Sequence, residues 1–358
     1  MADTNYATNN PLAVKLWAKR LEAEMLKKCY FGDFMGEGSD NIIQVKTETK
    51  KSAGDQVTFG LRMQLTGTGV TGDGVLEGNE EGLTTYTDAL VINQLRHAVR
   101  SAGKMSEQRV HFSVRTEAKD GLADWWADRL DTALMNQIAG NVSETSIAYT
   151  GMNAATAPDS NHVLLANTAA ANEAALVAGD QFTLGMLDRA VARAKTMVPM
   201  IRPLRKGRKP FYVCFIHPFQ TAQLRSQTSN AQWADIQRAL LQGGQDQKDN
   251  LLLQGGDMIG VYNGVILYES ARVPNGLTAG NVPIANVRRA ILCGAQAACV
   301  GFGQDTPESA SPYTWVEKKF DYDNKLGVAA GGIFGVKKTR FNSLDYGTIV
   351  LSSYSPQP

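Results

Sequence analysis

An α+β fold with one long hairpin set apart from a packed body is expected from three stretches of the chain. Between Val57 and Leu65 the apolar residues Val57, Phe59, Leu61, Met63 and Leu65 alternate with Thr58, Gly60, Arg62 and Gln64. That is the period-2 pattern of a strand with one buried face. Between Asp120 and Ala139, Leu122, Trp126, Leu130, Leu134 and Ile138 form a row four apart, the apolar stripe of a helix, and Gly140-Asn141 supplies its stop. Near the other end, two apolar runs, Met258 to Tyr262 and Val265 to Tyr268, flank Asn263-Gly264, a strong short-range hairpin signal.

Composition narrows the class. A chain of 358 residues holds two domains, or one with large insertions. Its 43% apolar and 20% charged content suits a protein with a real core. A net charge of +1 argues against an avid, whole-surface nucleic-acid binder. Cys29, Cys214, Cys293 and Cys299 are scattered without a C-x-x-C spacing and read as buried thiols of a reducing cytoplasm. The opening Met1 to Asn5 lacks the charged and apolar regions of a signal peptide, and no apolar run approaches the ~18 residues of a membrane span.

In chain order, residues 1–10 read as a polar tail. Pro11 then opens a helix through about Lys28, with Leu12, Leu16, Trp17, Leu21, Met25 and Leu26 on one side and Lys15, Lys19, Arg20, Lys27 and Lys28 on the other. Such a helix suits a membrane surface or an acidic partner, or simply packs on a core. Residues 39–56 read as polar and extended. Around residue 110 two readings stand. Val110, Phe112 and Val114 alternate like a strand, yet Ser106-Glu107 is a fair helix start, and a helix from Ser106 to Ala139 would be about 50 Å long. Residues 141–181 read as a long loop. Thr183 to Met197 reads as a helix, Arg202 to Lys209 as a basic turn, Phe211 to Ile216 as a buried strand stopped by His217-Pro218, and Phe219 to Leu241 as largely helical. Ala290 to Val300 is apolar and compact. From Trp315 onward strand-like pieces follow, broken at Gly331-Gly332.

The stretch after the first strand poses the functional question. Gly67-Thr68-Gly69-Val70-Thr71-Gly72 matches G-x-G-x-x-G, which in a dinucleotide-binding fold opens a helix that holds a pyrophosphate. Here Gly74 and Gly78 follow at once and disfavour a helix, and the preceding strand is amphipathic, not apolar on both faces. The alternative is an arm: residues 83–99 return as a second strand, and the glycines form a wide tip. A two-stranded hairpin is marginal alone in water, so it must lie on its own domain or on a neighbour. No other stretch carries a complete chemical signature. His97, His111, His162 and His217 lack zinc-site spacing. Ser101 to Lys104 matches S-x-x-K without its companions, Gly103-Lys104 lacks the rest of a phosphate loop, and Asp321 to Asn324 lacks the Gly and Glu of a calcium loop. No cofactor is expected.

The order of these features resembles a known family. The alternating strand, the LTGTG and LEGNEE segments (65–69 and 76–81), the ADWWADRLD helix (123–131), His217-Pro218 after an apolar strand, the GVYNGV hairpin (260–265) and the closing FGVKKTRFNSLDYG (334–347) are similar to the major capsid proteins of tailed bacteriophages. The type is that of podoviruses, without an appended scaffold domain. The resemblance spans nearly the whole chain and implies the α+β capsid fold first seen in a Hong Kong phage. By it, residues 1–52 are an N-terminal arm and 53–86 an extended hairpin loop draped over a neighbouring subunit. Residues 87–204 are a peripheral domain with a continuous spine helix over about 106–139, 205–305 an axial domain, and 306–358 the returning strands of the peripheral domain.

The resemblance further implies self-assembly as hexamers and pentamers into an icosahedral head around double-stranded DNA. Assembly takes place in the host cytoplasm with a scaffolding protein and a portal protein, and a decoration protein is an optional addition. No membrane is involved. Contacts between subunits are expected at Phe59, Leu61, Arg62, Leu65, Leu76, Glu77, Glu80 and Glu81, and DNA-facing charge at Lys15, Lys19, Arg202, Arg205, Lys206 and Arg208. Some relatives cross-link through a Lys and an Asn, and no such pair is placed here. Two other readings are weighed against this one: an enzyme that binds a phosphorylated ligand on the Gly67–Gly72 loop, and a non-viral shell-forming compartment protein.

Overall fold

A computed structural model describes residues 11–47, 55–62, 67–82, 85–111, 113–206, 209–227, 258–304 and 311–358. Pro11–Lys28 forms helix α1, opened by a proline whose fixed φ suits the first helical turn. Its buried side is Ala18, Leu21 and Met25. Short strands β1 (Met35–Gly36) and β2 (Ile43–Lys46) follow. Strands β3 (Gln56–Arg62) and β4 (Thr85–Val91) then pair antiparallel, Gln56 opposite Val91 and Arg62 opposite Thr85. The expected hairpin is therefore present, and β5 (Asn93–Arg100) continues from it.

The long helix is shorter than expected. Helix α2 (Lys104–Gln108) is separate, and helix α3 starts at Val114 and runs to Ala139. Neither the strand reading nor the continuous helix from about 106 holds. Val110, His111 and Ser113 are all weak helix formers, and Ser113 takes extended backbone (φ −80°, ψ 121°) as the residue before the helix. Gly121 does not break α3, because it faces open space and its cost of about 1 kcal/mol is small beside the burial of Leu122 and Trp126. The stop is as expected. Gly140 turns left-handed (φ 63°), and the Asn141 N–H reaches back to the Asn136 carbonyl at 2.9 Å.

The rest of the chain adds α4 (Ile147–Thr150), β6 (Val163–Leu165), α5 (Leu184–Thr196), β7 (Leu204–Lys206), β8 (Lys209–Ile216) and α6 (Pro218–Gln227). Residues 228–241, expected to continue that last helix, lie outside the described residues. Strands β9 (Met258–Tyr262), β10 (Val265–Glu269), β11 (Asn275–Leu277), β12 (Pro283–Cys293) and β13 (Ala298–Phe302) follow. The chain closes with β14 (Tyr313–Phe320), β15 (Lys325–Lys338), β16 (Arg340–Phe341), β17 (Leu344–Asp345) and β18 (Thr348–Tyr354). At the β9–β10 turn both Asn263 (φ 45°) and Gly264 (φ 74°) are left-handed, as a two-residue hairpin of the I′ type requires.

Two mixed sheets organise these strands. The first runs β1-β2-β13-β15-β14, and β5 also pairs with β15. The second runs β6-β18-β12-β8-β10-β9, with β7 on β8 and β11 on β12. One core cluster joins α1, α3, the first sheet and one face of the second. Another packs α5 on the opposite face of the second sheet. Strand β8 serves both, Val213 and Phe215 on one side, Tyr212, Cys214 and Ile216 on the other, which explains its unbroken apolar run. Strand β15 is continuous, contrary to the break expected at Gly331-Gly332. A Cβ at Gly332 would meet Tyr313 at 3.0 Å and Trp126 at 3.2 Å, and one at Gly331 would meet Thr314 at 2.8 Å. These glycines admit neighbours instead of ending the strand.

Candidate assembly surface

The hairpin has a fixed root and an open tip. At the root, Val57, Leu90 and Ile92 are buried with Cys299. Gly335 lets the Val91 carbonyl lie directly on the first sheet, where a Cβ would come within 2.2 Å of it. Lys337 donates to Asp88 at 2.6 Å, and the Arg340 N–H to the other oxygen of that carboxylate at 3.2 Å. Asn153 brackets Val91, accepting from its N–H at 3.1 Å and donating to its carbonyl at 2.9 Å. At the tip, every residue from 67 to 82 is exposed, including Val75 (69%) and Leu76 (61%). The loop's shape is set locally. The Gly67 N–H donates to Glu81 at 2.6 Å and the Gly78 N–H to Glu80 at 2.7 Å. Gly69, Gly72 and Gly78 are left-handed, and no helix follows Gly72, so the dinucleotide pattern lacks the element that would hold a phosphate.

The expected contact residues fall on both parts. Phe59, Leu61 and Arg62 lie in β3 opposite Asp88, Tyr86 and Thr85, and Leu65 lies outside the described residues. Leu76 and Glu77 stand at the exposed tip, while Glu80 and Glu81 also fasten the loop's own backbone, a role the sequence did not reveal. The basic residues do not form one group. Lys15 and Lys19 belong to α1, with Lys19 exposed. Arg202 pairs with Asp40 at 3.0 Å and donates to Gln296 at 3.2 Å, so its charge is already engaged. Arg205, in β7, lines a recess of about 160 Å³ with Met200, Pro203 and Tyr212, well below the ~300 Å³ at which small-molecule sites begin. Lys206 ends β7, and Arg208 lies outside the described residues.

His97, His162, His217 and the cysteines have partners within the fold, while His111 is exposed. His97 stacks on Trp125 with centroids 4.5 Å apart, and His162 sits 3.1 Å from Asp159. His217 accepts the Phe219 N–H on Nδ1 at 3.1 Å at the start of α6. Burial, reinforced by the charge of Arg288, lowers it to about 4. All four cysteines are buried, and none is in a disulfide. Cys29 donates to Asp131, which also accepts the Tyr30 and Phe31 N–H groups and so ties the end of α1 to α3. Burial raises that carboxyl above its ordinary value. The sequence does carry a signal for Asp131, since it lies one turn beyond buried Ala127.

A second buried group was not legible. Glu173 accepts both Nε and Nη2 of Arg289 at 2.7 Å, the Ser352 hydroxyl at 2.5 Å and the Leu277 N–H at 2.6 Å. Arg289 also donates to the Gly140 carbonyl at 3.1 Å, so one ion pair joins loop 141–181, the end of α3, β11, β12 and β18.

A well-packed body that carries a pinned hairpin with a wholly exposed, partly apolar tip is the architecture of a structural assembly protein. The comparisons with known proteins agree. The pattern of a family described as phage capsid protein matches residues 5–357, and the chain belongs to that family. It is 30% identical over 372 residues to the major capsid protein of Pseudomonas phage KPP25, covering 95% of this chain and 93% of that protein. The capsid of Ralstonia phage GP4 matches with a TM-score of 0.80 at 29% identity, over 100% of this chain and 99% of that one. The cyanophage Pam1 capsid subunit shares the fold at a TM-score of 0.68 and 19% identity, over 100% and 95%. The tailed-phage capsid fold expected from the sequence is the fold observed, and the protein is a structural subunit of a phage head.

Proposed function

We propose that this subunit assembles as hexamers and pentamers into an icosahedral head around double-stranded DNA, with hairpin β3–β4 laid on a neighbouring subunit. The observation that carries this reading is the exposure of the whole 67–82 loop, Val75 and Leu76 included, on a root that is firmly packed. An apolar tip gains nothing in water and gains burial energy at every repeat of a subunit contact. By family resemblance, residues 1–52 form the N-terminal arm, α3 is the spine helix of a peripheral domain built from 87–204 and 306–358, and 205–305 form the axial domain. A scaffolding protein and a portal are the partners in assembly, which takes place in the host cytoplasm. Exposed Lys19 and Arg205 are candidates for non-specific contact with DNA, and the net charge of +1 suits a wall that does not grip its contents. The role is structural rather than enzymatic.

Negative-stain microscopy and sedimentation of the protein co-produced with its scaffolding protein should show shells or capsomers. A monomer under all conditions would overturn the reading. The paired variant Val75→Asp, Leu76→Asp should keep the subunit's circular dichroism and lose shells, and normal shells from it would remove the tip from the interface.

A further inference from the structure

Charge is spread unevenly along this chain. The net charge is +1, yet the stretch from Arg189 to Gln227 holds nine Lys and Arg residues and neither Asp nor Glu. Part of that stretch closes a recess of about 160 Å³, where the end of α5, the segment after it, β7, β8 and the β9–β10 turn come together. Lys195, Met200, Pro203, Arg205, Tyr212 and the Asn263-Gly264 turn line it.

The walls are fixed by the fold itself. The Tyr212 hydroxyl donates to the Ile201 carbonyl at 3.0 Å, and the Ile201 N–H donates to the Ala194 carbonyl at 3.0 Å, which ties the segment after α5 to β8. The Tyr212 N–H donates to the Gly264 carbonyl at 2.9 Å. Asp188 of α5 accepts from the Tyr262 hydroxyl at 3.0 Å and from Asn263 Nδ2 at 2.8 Å, which holds the turn in place. Arg205 stands opposite Pro210 in the β7–β8 pair. A site held this way needs little ordering when a partner arrives.

The recess is apolar inside and cationic at its rim. Met200, Pro203 and buried Tyr212 form the inside, and Met200 (44% exposed) and Val198 (91%) carry the apolar surface outward. An apolar cavity of ~150 Å³ holds a benzene ring, so one phenyl or isobutyl side chain fits here and little more. Lys195 and Arg205 are exposed, and among the described residues no ion pair engages either. No lining residue is acidic, and Asp188 close by is taken up by its two donors. A nucleic-acid backbone would use the two cations and leave the apolar hollow unfilled. An apolar side chain flanked by carboxylates uses both.

We propose that this recess is a docking site for an acidic peptide segment of a partner protein. One phenyl or isobutyl side chain of the peptide enters the hollow, and carboxylates on either side of it meet Lys195 and Arg205. The apolar anchor supplies affinity, and the charges select the sequence around it. The inference is independent of the hairpin and of the way subunits pack on one another. DNA, the other polyanion for which Arg205 is a candidate, is told apart by the experiment.

Met200 is a built-in reporter. The unassembled subunit, labelled with 13C at its methionine methyl groups, is titrated with the synthetic peptide acetyl-Asp-Asp-Phe-Glu-Glu-amide, and the Met200→Leu variant identifies the Met200 signal. That signal should shift and saturate below about 1 mM peptide. Replacing the peptide's Phe by Ala should weaken binding about tenfold or more, and replacing its four acids by Lys should abolish it. Lys195→Glu with Arg205→Glu, both at exposed positions, should also abolish it while leaving the subunit's circular dichroism unchanged. No saturable shift of Met200 with the acidic peptide would overturn the proposal. Equal binding by the Ala peptide, or a short DNA duplex that shifts Met200 and displaces the peptide at equal charge concentration, would overturn it in favour of a plain anion site.

Discussion

Loops 67–82 and 141–181 look alike in composition, both polar and poor in large apolar residues, yet the first stands wholly exposed while the second is folded onto the body. The difference is the partner available to each carboxylate. Glu173 finds Arg289 across 116 positions of sequence, with Ser352 and a backbone N–H completing its shell. Glu80 and Glu81 accept from backbone N–H groups of their own loop, and every residue of that loop stays exposed. A loop fastened by a long-range buried pair belongs to the subunit. One exposed over its whole length keeps its apolar residues Val75 and Leu76 in water.

That contrast can be broken from the body side first. Arg289→Met leaves Glu173 buried without its cation and should destabilise the unassembled subunit by about 3–5 kcal/mol in chemical denaturation. Changing Glu173→Leu as well should recover much of the loss, since two apolar groups leave no orphaned charge. A single variant within about 0.5 kcal/mol of the parent would show that loop 141–181 is held by something else.

Acid sharpens the contrast next. His217 is neutral in the fold, with its value near 4 instead of 6.5. The unfolded chain therefore binds the proton first, and stability present above pH 6.5 is lost as pH falls from about 6.5 toward 4, by up to roughly 3 kcal/mol. His217→Asn, which keeps an acceptor near the Phe219 N–H, should flatten that part of the curve of melting temperature against pH. An unchanged curve would assign the acid sensitivity to other groups.

The smallest effect on the subunit belongs to the tip. Leu76→Asp should move its unfolding free energy by no more than about 0.5 kcal/mol, because the side chain is 61% exposed and lies in no core. A loss of several kcal/mol would mean that the tip packs on its own body after all.

Much of the fold was legible because it is written at short range. Helix α1, the Thr183–Met197 helix, the β3–β4 and β9–β10 hairpins and the stop at Gly140 all follow from spacings of two to four residues or from one backbone angle. The start of α3 was misjudged because Val110 and Val114 satisfy the helical period while the residues between them favour extended backbone. Asp131 was within reach of the same periodicity, whereas Glu173 was not, since nothing around it points to Arg289. The order of motifs led to the expectation of an arm, whereas the pinning of the hairpin root by Asn153, Lys337 and Gly335 needed segments far apart in sequence to meet.

Hairpin 56–91 shows the division plainly. Its alternation and its glycines followed from the sequence, because strand period and left-handed backbone are properties of a few consecutive residues. Where its root is pinned, and that Gly331 and Gly332 admit side chains on opposite faces instead of ending a strand, depended on segments far apart in sequence returning to one sheet. Periodicity is a local property of the chain. Which buried charge meets which, and which face stays open, is settled only when the whole chain has packed.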